Sequence, residues 1–180
     1  MHVVLADPPA FTPPYDHELA AALARAGAEV ELVTAPFRFG PRPAPDGYAL
    51  DESFYRRAGT IDGRALRLAT KAIEHPFAMR RLLARPAQVV HFQWLDAPEL
   101  DVLLLRSRKP LVFTAHDLLP RRTARREGLW RRLFARFDRG VVHSFQEVFA
   151  FRWHSVRRGN RRDRGRLAGV GQRRVLVIEH

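Results

Sequence analysis

Apolar residues recur along this chain at two spacings, one typical of buried strands and one typical of helices. Short apolar runs predict strands over residues 2–6, 30–34, 88–91, 111–114, 141–142 and 175–178. Apolar residues three and four positions apart predict helices over residues 16–26, 62–85, from 96 onward, and 127–138. Because strands alternate with helices, we expect an α/β fold with a doubly wound, mainly parallel sheet of about six strands.

Three local patterns refine these elements. Residues 35–60 are rich in proline and glycine and are predicted to be loop. The helix over 62–85 contains Pro76, where we expect a kink. Asp96 and Glu99 have the spacing of a capping box, which predicts that the next helix starts there. Its expected buried face consists of Leu100, Leu103 and Leu104.

Composition excludes several classes of protein. The chain has 180 residues, of which 46% are hydrophobic, so it is long enough to bury the core of one domain. It contains no cysteine, which excludes disulfides, thiolate metal sites and a cysteine nucleophile. The apolar start is too short for a signal peptide, and no later apolar run has the roughly 20 residues that span a bilayer. We therefore expect a cytoplasmic protein.

The positive charge is concentrated in the last third of the chain. Residues 1–119 carry 14 basic and 14 acidic side chains, whereas residues 120–180 carry 17 arginines and 5 acids, which accounts for the net charge of +12. Such a basic segment suits phosphate groups on nucleotides, lipids or nucleic acids, and its composition does not choose among them.

Polar side chains follow most of the predicted strands, where ligands bind in parallel sheets. These residues are Asp7, His91, Gln93, Trp94, His116, Asp117, His143 and Ser144. We favour a functional role for His116, because polar groups are concentrated directly after its strand. We expect no metal site, since no acidic residue at ligand spacing accompanies the histidines.

The turn after the first strand lacks the common phosphate-binding signatures. Residues 7–16 contain no glycine, which excludes a dinucleotide-binding GxGxxG or a P-loop there, and the chain has no GxSxG motif. This proline-rich turn is either a rigid connection or a platform that presents Thr12 and Tyr15 to a ligand.

Five segments in order resemble the N-terminal domain of a GT-B glycosyltransferase of the family 4 type. The opening strand, helix and strand resemble the family's "LAxxLxxxGHEV" region, and the others resemble "PDVVHxHW", "PxVxTxHD", "ADRVVVHS" and "RVxVIPHG". They occupy residues 3–34, 86–94, 110–117, 137–144 and 174–180.

The resemblance implies a retaining, metal-independent transferase, of the hexosyltransferase type, built from two Rossmann-like domains. The enzyme moves a sugar from a nucleotide-sugar co-substrate to a sugar or lipid-linked acceptor, without a further cofactor. His116 corresponds to the histidine that reaches the reaction centre. The residues expected to border the acceptor are Thr12, Tyr15, His91, Gln93, Trp94, Asp117, His143 and Ser144.

The resemblance also implies a domain division. Residues 1–144 correspond to the acceptor-side domain, and residues 145–180 form an atypical basic segment that ends in the last strand and linker. The family's donor-binding domain would follow, so we expect a truncated chain that is inactive alone. Residues 10–14 replace the family's Gly-Gly, which puts donor-phosphate contacts from that loop in doubt.

Two other functions compete with this one. The helix over 127–138 has an aromatic side and an arginine side, as in a non-catalytic module that docks on anionic membrane lipid, at the inner membrane face, or on a protein partner. The same pattern is more often a core-facing helix with a solvated side. The arginines and aromatics of 145–166 suggest nucleic-acid binding, but no recognition motif supports it, so we rank it last.

Overall fold

A seven-stranded parallel sheet forms the centre of the protein. The computed structural model describes residues 1–116 and 126–142, together with the backbone of residues 175–177. The strands are β1 His2–Asp7, β2 Glu29–Thr34, β3 Ala49–Asp51, β4 Val89–Phe92, β5 Leu111–Ala115, β6 Arg139–Val142 and β7 Val175–Val177. Their order is β3-β2-β1-β4-β5-β6-β7, which confirms the predicted α/β fold.

Helices cover both faces of the sheet, and two apolar clusters separate them from it. The helices are α1 Pro13–Arg25, α2 Arg56–Thr60, α3 Arg64–Ala84, α4 Pro98–Leu104 and α5 Glu127–Phe134. On one face, Ala20 of α1 packs with Val3 and Leu5 of β1. On the other, Met79 of α3 and Leu133 of α5 belong to the larger cluster.

The strand order reverses direction between β1 and β4. The chain runs outward from β1 to β2 and β3, returns through α3 to β4 on the other side of β1, and continues outward to β5 and β6. In open parallel sheets, a crevice forms at such a switch point, outside the carboxyl ends of the strands. The carboxyl ends of β1 and β4 are therefore where the fold favours a ligand.

The prediction that residues 35–60 are all loop is wrong. Strand β3 and helix α2 both lie within them, and Leu50 pairs with Leu32 of β2. Phe54 and Tyr55 are buried in the main core. Three strand residues and one helical turn are too short to show a periodic apolar pattern, so tertiary contacts determine these elements.

The predicted capping box at the start of α4 is also wrong. Ala97 is the residue before the helix, and its N–H donates to Oδ2 of Asp101 at 3.2 Å. Asp96 instead forms an ion pair with Lys71 at 2.8 Å. Leu103, expected to be buried, is 61% exposed, because the helix turns Asp101 toward the core.

The other predicted helices are confirmed with shifted ends. Helix α3 continues through Pro76. Helix α5 ends at Phe134, and Trp130, Leu133 and Phe134 are buried in the core, as expected for a core-facing helix. None of the helices in the described part of the chain has the length and apolar character needed to cross a membrane.

Candidate functional site

His116 lies at the switch point, directly after β5, and packs between two aromatic side chains. Its ring stacks on that of Trp94, with centroids 5.0 Å apart and planes 12° apart. The ring of Tyr15 approaches its edge at 4.9 Å and 88°. The three rings are partly exposed, so the carboxyl edge of the sheet presents an aromatic surface around an imidazole.

Gln93 lies on the inner side of His116 and forms a hydrogen bond with its ring. Its side chain is fully buried, and its Oε1 accepts a hydrogen bond from His116 Nε2 at 3.2 Å. Its Nε2 donates to His91 Nε2 at 3.3 Å. Since the amide carbonyl accepts from His116, the proton of the neutral His116 ring is on Nε2 and the lone pair is on Nδ1.

His91 forms the inner end of this chain of hydrogen bonds. Its Nε2 also accepts a bond from Oγ1 of Thr114 at 2.8 Å. Burial, and secondarily the charge of His116, lower the pKa of His91 to about 4. His91 is therefore neutral at physiological pH and provides an acceptor that orients Gln93.

A second chain of hydrogen bonds holds Trp94. Its indole Nε1–H donates to Oγ1 of Thr12 at 2.8 Å, and that hydroxyl donates to Oδ2 of Asp16 at 3.2 Å. Phe11 packs against the same indole, edge to face, at 5.4 Å. The loop after β1 and the first turn of α1 thus fix the aromatic surface on which His116 rests.

Asp7 and Asp16 form a buried carboxyl pair beneath Thr12. Each is 1% exposed, and the backbone N–H of Thr12 donates to Oδ2 of Asp7 at 3.3 Å. Burial, followed by the negative charge of Asp7, raises the pKa of Asp16 to about 10. Burial also raises the pKa of Asp7. The pair therefore retains a proton at neutral pH, as closely spaced buried carboxyl groups do.

In the turn after β1, a residue other than glycine adopts a left-handed backbone conformation. Ala10 has φ of 56°, in the left-handed region that glycine occupies at no steric cost. Its N–H donates to the carbonyl of Asp7 at 3.0 Å, which closes the turn.

Five of the predicted site residues come together at this edge, and one lies behind it. Pairwise contacts link Thr12 to Trp94, and His116 to Trp94, Tyr15 and the buried Gln93, and His91 lies one hydrogen bond deeper. Asp117, His143 and Ser144 lie outside the described residues. The assignment of these side chains to an acceptor stays a prediction.

Sequence reasoning missed Asp16 and Thr114, which orient the residues that it found. Thr12 and Asp16 are four positions apart across the start of α1, a spacing that brings side chains together and that would have indicated their contact. Thr114 faces the neighbouring strand β4, and only the pairing of β4 with β5 shows that contact.

The described residues provide no candidate metal centre. Within residues 1–116 and 126–142, no three histidine, aspartate or glutamate side chains are placed to hold a metal ion. The carboxyl pair itself binds a proton, which weakens it as a cation ligand.

A comparison of the sequence with known protein families gives a match, and the matched residues include most of the candidate site. The sequence model of Glycosyltransferase Family 4 matches residues 15–159, which is more than half of the 180-residue chain. No match was found among curated proteins. The matched region runs from α1 to beyond β6 and includes Trp94 and His116, so the resemblance of the sequence is confirmed. This chain belongs to glycosyltransferase family 4.

Proposed function

We propose that this chain is the acceptor-side domain of a retaining glycosyltransferase that uses a nucleotide-sugar donor. The observation that carries the proposal is the placement of His116. Its partly exposed ring lies at the switch point, on Trp94 and beside Tyr15, in a chain of glycosyltransferase family 4. This is the position at which parallel sheets bind small polar ligands.

In this proposal, His116 positions a sugar hydroxyl at the reaction centre. Oε1 of Gln93 accepts a hydrogen bond from the Nε2–H of His116, which fixes the ring and its tautomer. A neutral imidazole held in this tautomer can accept a hydrogen bond from a hydroxyl group. Trp94 and Tyr15 offer apolar ring surface for the carbon-bound hydrogens of a sugar.

The donor would be bound by a second domain, as the family implies, and we propose that the 180 residues alone do not transfer sugar. The test is incubation of this chain with UDP-glucose or GDP-mannose and a panel of methyl glycosides. We expect no glycoside product above the level without protein. Sustained turnover would contradict this part of the proposal and leave acceptor binding to be tested separately.

The transfer is proposed to require no metal ion and no further cofactor. A chelator should then leave the binding of methyl glycosides unchanged. Loss of binding after chelation, restored by one divalent cation, would contradict this part of the proposal.

Acceptor binding is tested by saturation-transfer NMR with the same panel of methyl glycosides. We expect at least one of them to receive saturation from the protein, and His116→Ala to weaken that binding about ten-fold, the effect of losing one good hydrogen bond to a polar ligand. His2→Ala is the matched control, because His2 opens β1 at the opposite edge of the sheet. Equal binding by both variants would contradict the placement of the acceptor.

The structure removes the reason for the competing function, a docking module suggested by the pattern of the helix over residues 127–138. The aromatic face of α5, including Trp130 and Phe134, is buried against the sheet and is not available to a membrane or a partner. Nucleic-acid binding rested on residues 145–166, which lie outside the described residues.

A further inference from the structure

Asp7 and Asp16 both contact one residue, Thr12, that lies between them. Oδ2 of Asp7 accepts the backbone N–H of Thr12 at 3.3 Å, and Oδ2 of Asp16 accepts its hydroxyl at 3.2 Å. The two carboxyl groups also lie within hydrogen-bonding reach of each other. The three residues therefore close a ring of contacts between the end of β1 and the first turn of α1.

One oxygen of each acid takes no part in the contacts with Thr12. Oδ1 of Asp7 and Oδ1 of Asp16 are buried, and within the described residues neither accepts a hydrogen bond from an ordinary donor. Buried acceptors without a donor are rare in folded proteins. A single acid proton, bound to one Oδ1 and donated to the other, would satisfy both atoms.

A water molecule is the alternative partner for one of these two oxygens. Asp16 lines a small pocket with Leu32 and Thr34, between α1 and the end of β2. Asp7 is not among the residues that line this pocket. A water molecule there would leave Oδ1 of Asp7 without a donor, whereas a shared proton leaves neither oxygen unsatisfied.

The charges around the pair do not neutralise it. Among residues 1–116 and 126–142, neither carboxyl group forms an ion pair. In the pocket beside Asp16, Arg42 pairs with Glu52 at 3.1 Å, and burial lowers the pKa of His17, which leaves its ring neutral at pH 7. On α1, burial and the charge of Asp16 raise the pKa of Tyr15, so its hydroxyl is also neutral. A proton is the counter-charge that this part of the structure offers.

We propose that Asp7 and Asp16 share one proton between their Oδ1 atoms and act as a positioning pair for Trp94. The indole Nε1–H of Trp94 donates to Oγ1 of Thr12 at 2.8 Å, and the ring of His116 stacks on that indole. While the proton is shared, both carboxyl groups stay bonded to Thr12 and the indole keeps its place. Loss of the proton leaves two buried like charges side by side, and their repulsion separates α1 from the end of β1 and releases Thr12.

The shared proton makes the candidate site sensitive to alkali. Burial, followed by the charge of Asp7, raises the pKa of Asp16 to about 10, so the pair keeps its proton at pH 7 and loses it as the pH rises past that value. We therefore expect acceptor binding to weaken in that range. This consequence rests on the proposed function, whereas the shared proton and the position of Trp94 do not.

The shared proton is tested by carbon-13 NMR of the aspartate carboxyl groups. Asp7→Asn and Asp16→Asn assign the two signals, and the exposed Asp46 is the reference for an ionised group. Between pH 6 and 9, we expect the pair to show one protonated carboxyl group. In either asparagine variant the remaining acid should be ionised, because the amide N–H donates in place of the proton. Ionisation of both acids in the wild type would overturn the proposal.

The position of Trp94 is tested by fluorine NMR of protein labelled with 5-fluorotryptophan. The chain contains three tryptophans, and Trp→Phe variants assign their signals. We expect Asp16→Ala to shift the Trp94 signal and to leave that of Trp130, which is buried in the core, unchanged. Asp16→Asn should restore the wild-type signal, because an amide can both accept and donate a hydrogen bond. Asp46→Ala, at an exposed acid, is the matched control for Asp16→Ala.

The pH profile of the same signals is a readout that a merely structural role would not change. As the pH rises past about 10, the Trp94 signal of the wild type should shift while that of Trp130 stays in place. In Asp16→Asn, neither signal should move over this range. The comparison decides the outcome even where Asp16→Ala does not fold, and a Trp94 signal that moves equally in both proteins would overturn the proposal.

Saturation-transfer NMR with the methyl glycosides measures the consequence for the site. Asp16→Ala should weaken binding about ten-fold, whereas Asp16→Asn should bind like the wild type at pH 7 and keep its affinity in alkali. Equal loss of binding in Asp16→Asn and Asp16→Ala would overturn the shared proton. If the wild type binds no glycoside, the proposed function fails, and the carbon and fluorine measurements still decide on the pair.

Discussion

At the residue scale, the unusual feature is a protonated acid below the candidate site. Asp16 is buried beside Asp7, and its Oδ2 accepts the hydroxyl of Thr12, which in turn holds the indole of Trp94. Burial and the charge of Asp7 raise the pKa of Asp16 to about 10. Protonation of one carboxyl group thus relieves the repulsion that two buried charges would cause.

The pair makes folding stability depend on pH with a definite sign. In the unfolded chain, Asp16 loses its proton above its ordinary pKa of 3.8, whereas in the folded protein it retains it up to about pH 10. The folded state therefore binds the extra proton across this window, and its stability falls as pH rises through it. His91 does not contribute above pH 7, because its folded pKa is lowered to about 4.

Asp16→Asn should reduce this dependence. An amide is uncharged in both states, so the free energy of unfolding between pH 7 and 9 should fall less steeply than in the wild type, by up to about 1.4 kcal/mol per pH unit. Urea unfolding at a series of pH values measures the two slopes. Asp46→Asn, at an exposed carboxyl group, is the control. Equal slopes for wild type and Asp16→Asn would show that the pair does not retain a proton.

The sequence indicated the position of His116 but not the hydrogen bonds that orient its ring. A polar residue after a buried strand is visible in the sequence, because strands end where the apolar run ends. The contacts of Thr114 with His91, and of Gln93 with both histidines, depend on which strands are neighbours and on how deeply each side chain lies. Which strands are neighbours, and how deeply each side chain lies, depend on the strand order, and no local sequence pattern indicates that order.

At the scale of elements, α5 shows how one pattern fits two functions. Its aromatic and arginine sides are those of a membrane-surface helix and also those of a helix that packs on a sheet. The structure places Leu133 and Phe134 in the core, with Arg132 on the outer side. The strongest outward apolar row occurs instead on α3, where Pro76 and the buried His75 interrupt a simple amphipathic pattern.

Substitutions in α5 distinguish the two roles. Leu133→Ala should lower the free energy of unfolding by about 2–5 kcal/mol, because a fully buried leucine leaves a cavity. Arg132→Ala, one residue earlier on the partly exposed side, should change it by less than about 0.5 kcal/mol. Chemical denaturation measures both. A small effect of Leu133→Ala would mean that α5 is not packed on the sheet.

A buried polar network joins α3 and α4 to Tyr55, the residue before α2. Asp101 Oδ1 accepts from His75 Nε2 at 2.6 Å, and Tyr55 OH is 2.5 Å from His75 Nδ1. Asp101 also accepts the N–H of Ala97. The sequence pattern assigned the start of α4 to Asp96, because capping spacing is local, whereas this network is formed by residues far apart in the chain.

Asp101→Ala should be among the most destabilising single substitutions in the protein. It leaves a buried imidazole and a backbone N–H without their acceptor, which should cost about 3 kcal/mol or more. Glu99→Ala removes an acid from the same helix that pairs with Arg126 at the surface, and should cost less than about 1 kcal/mol. Thermal unfolding followed by circular dichroism compares them, and similar losses would contradict a structural role for the network.

At the scale of the whole molecule, the strand order creates the candidate site. Alternating strands and helices predicted the fold class, but the position of β1 between β2 and β4 is a property of the assembled sheet. That position brings together the loop after β1, the end of β4 and His116 after β5.

The most direct test of the acceptor site is NMR of the histidine rings during titration with methyl glycosides. The chain contains eight histidines, and single His→Gln variants assign their ring signals. We predict that a bound glycoside shifts the ring signals of His116, with smaller changes at His91, and leaves those of His2 and His75 unchanged. Glycoside-dependent shifts at His2 or His75 with none at His116 would contradict the account.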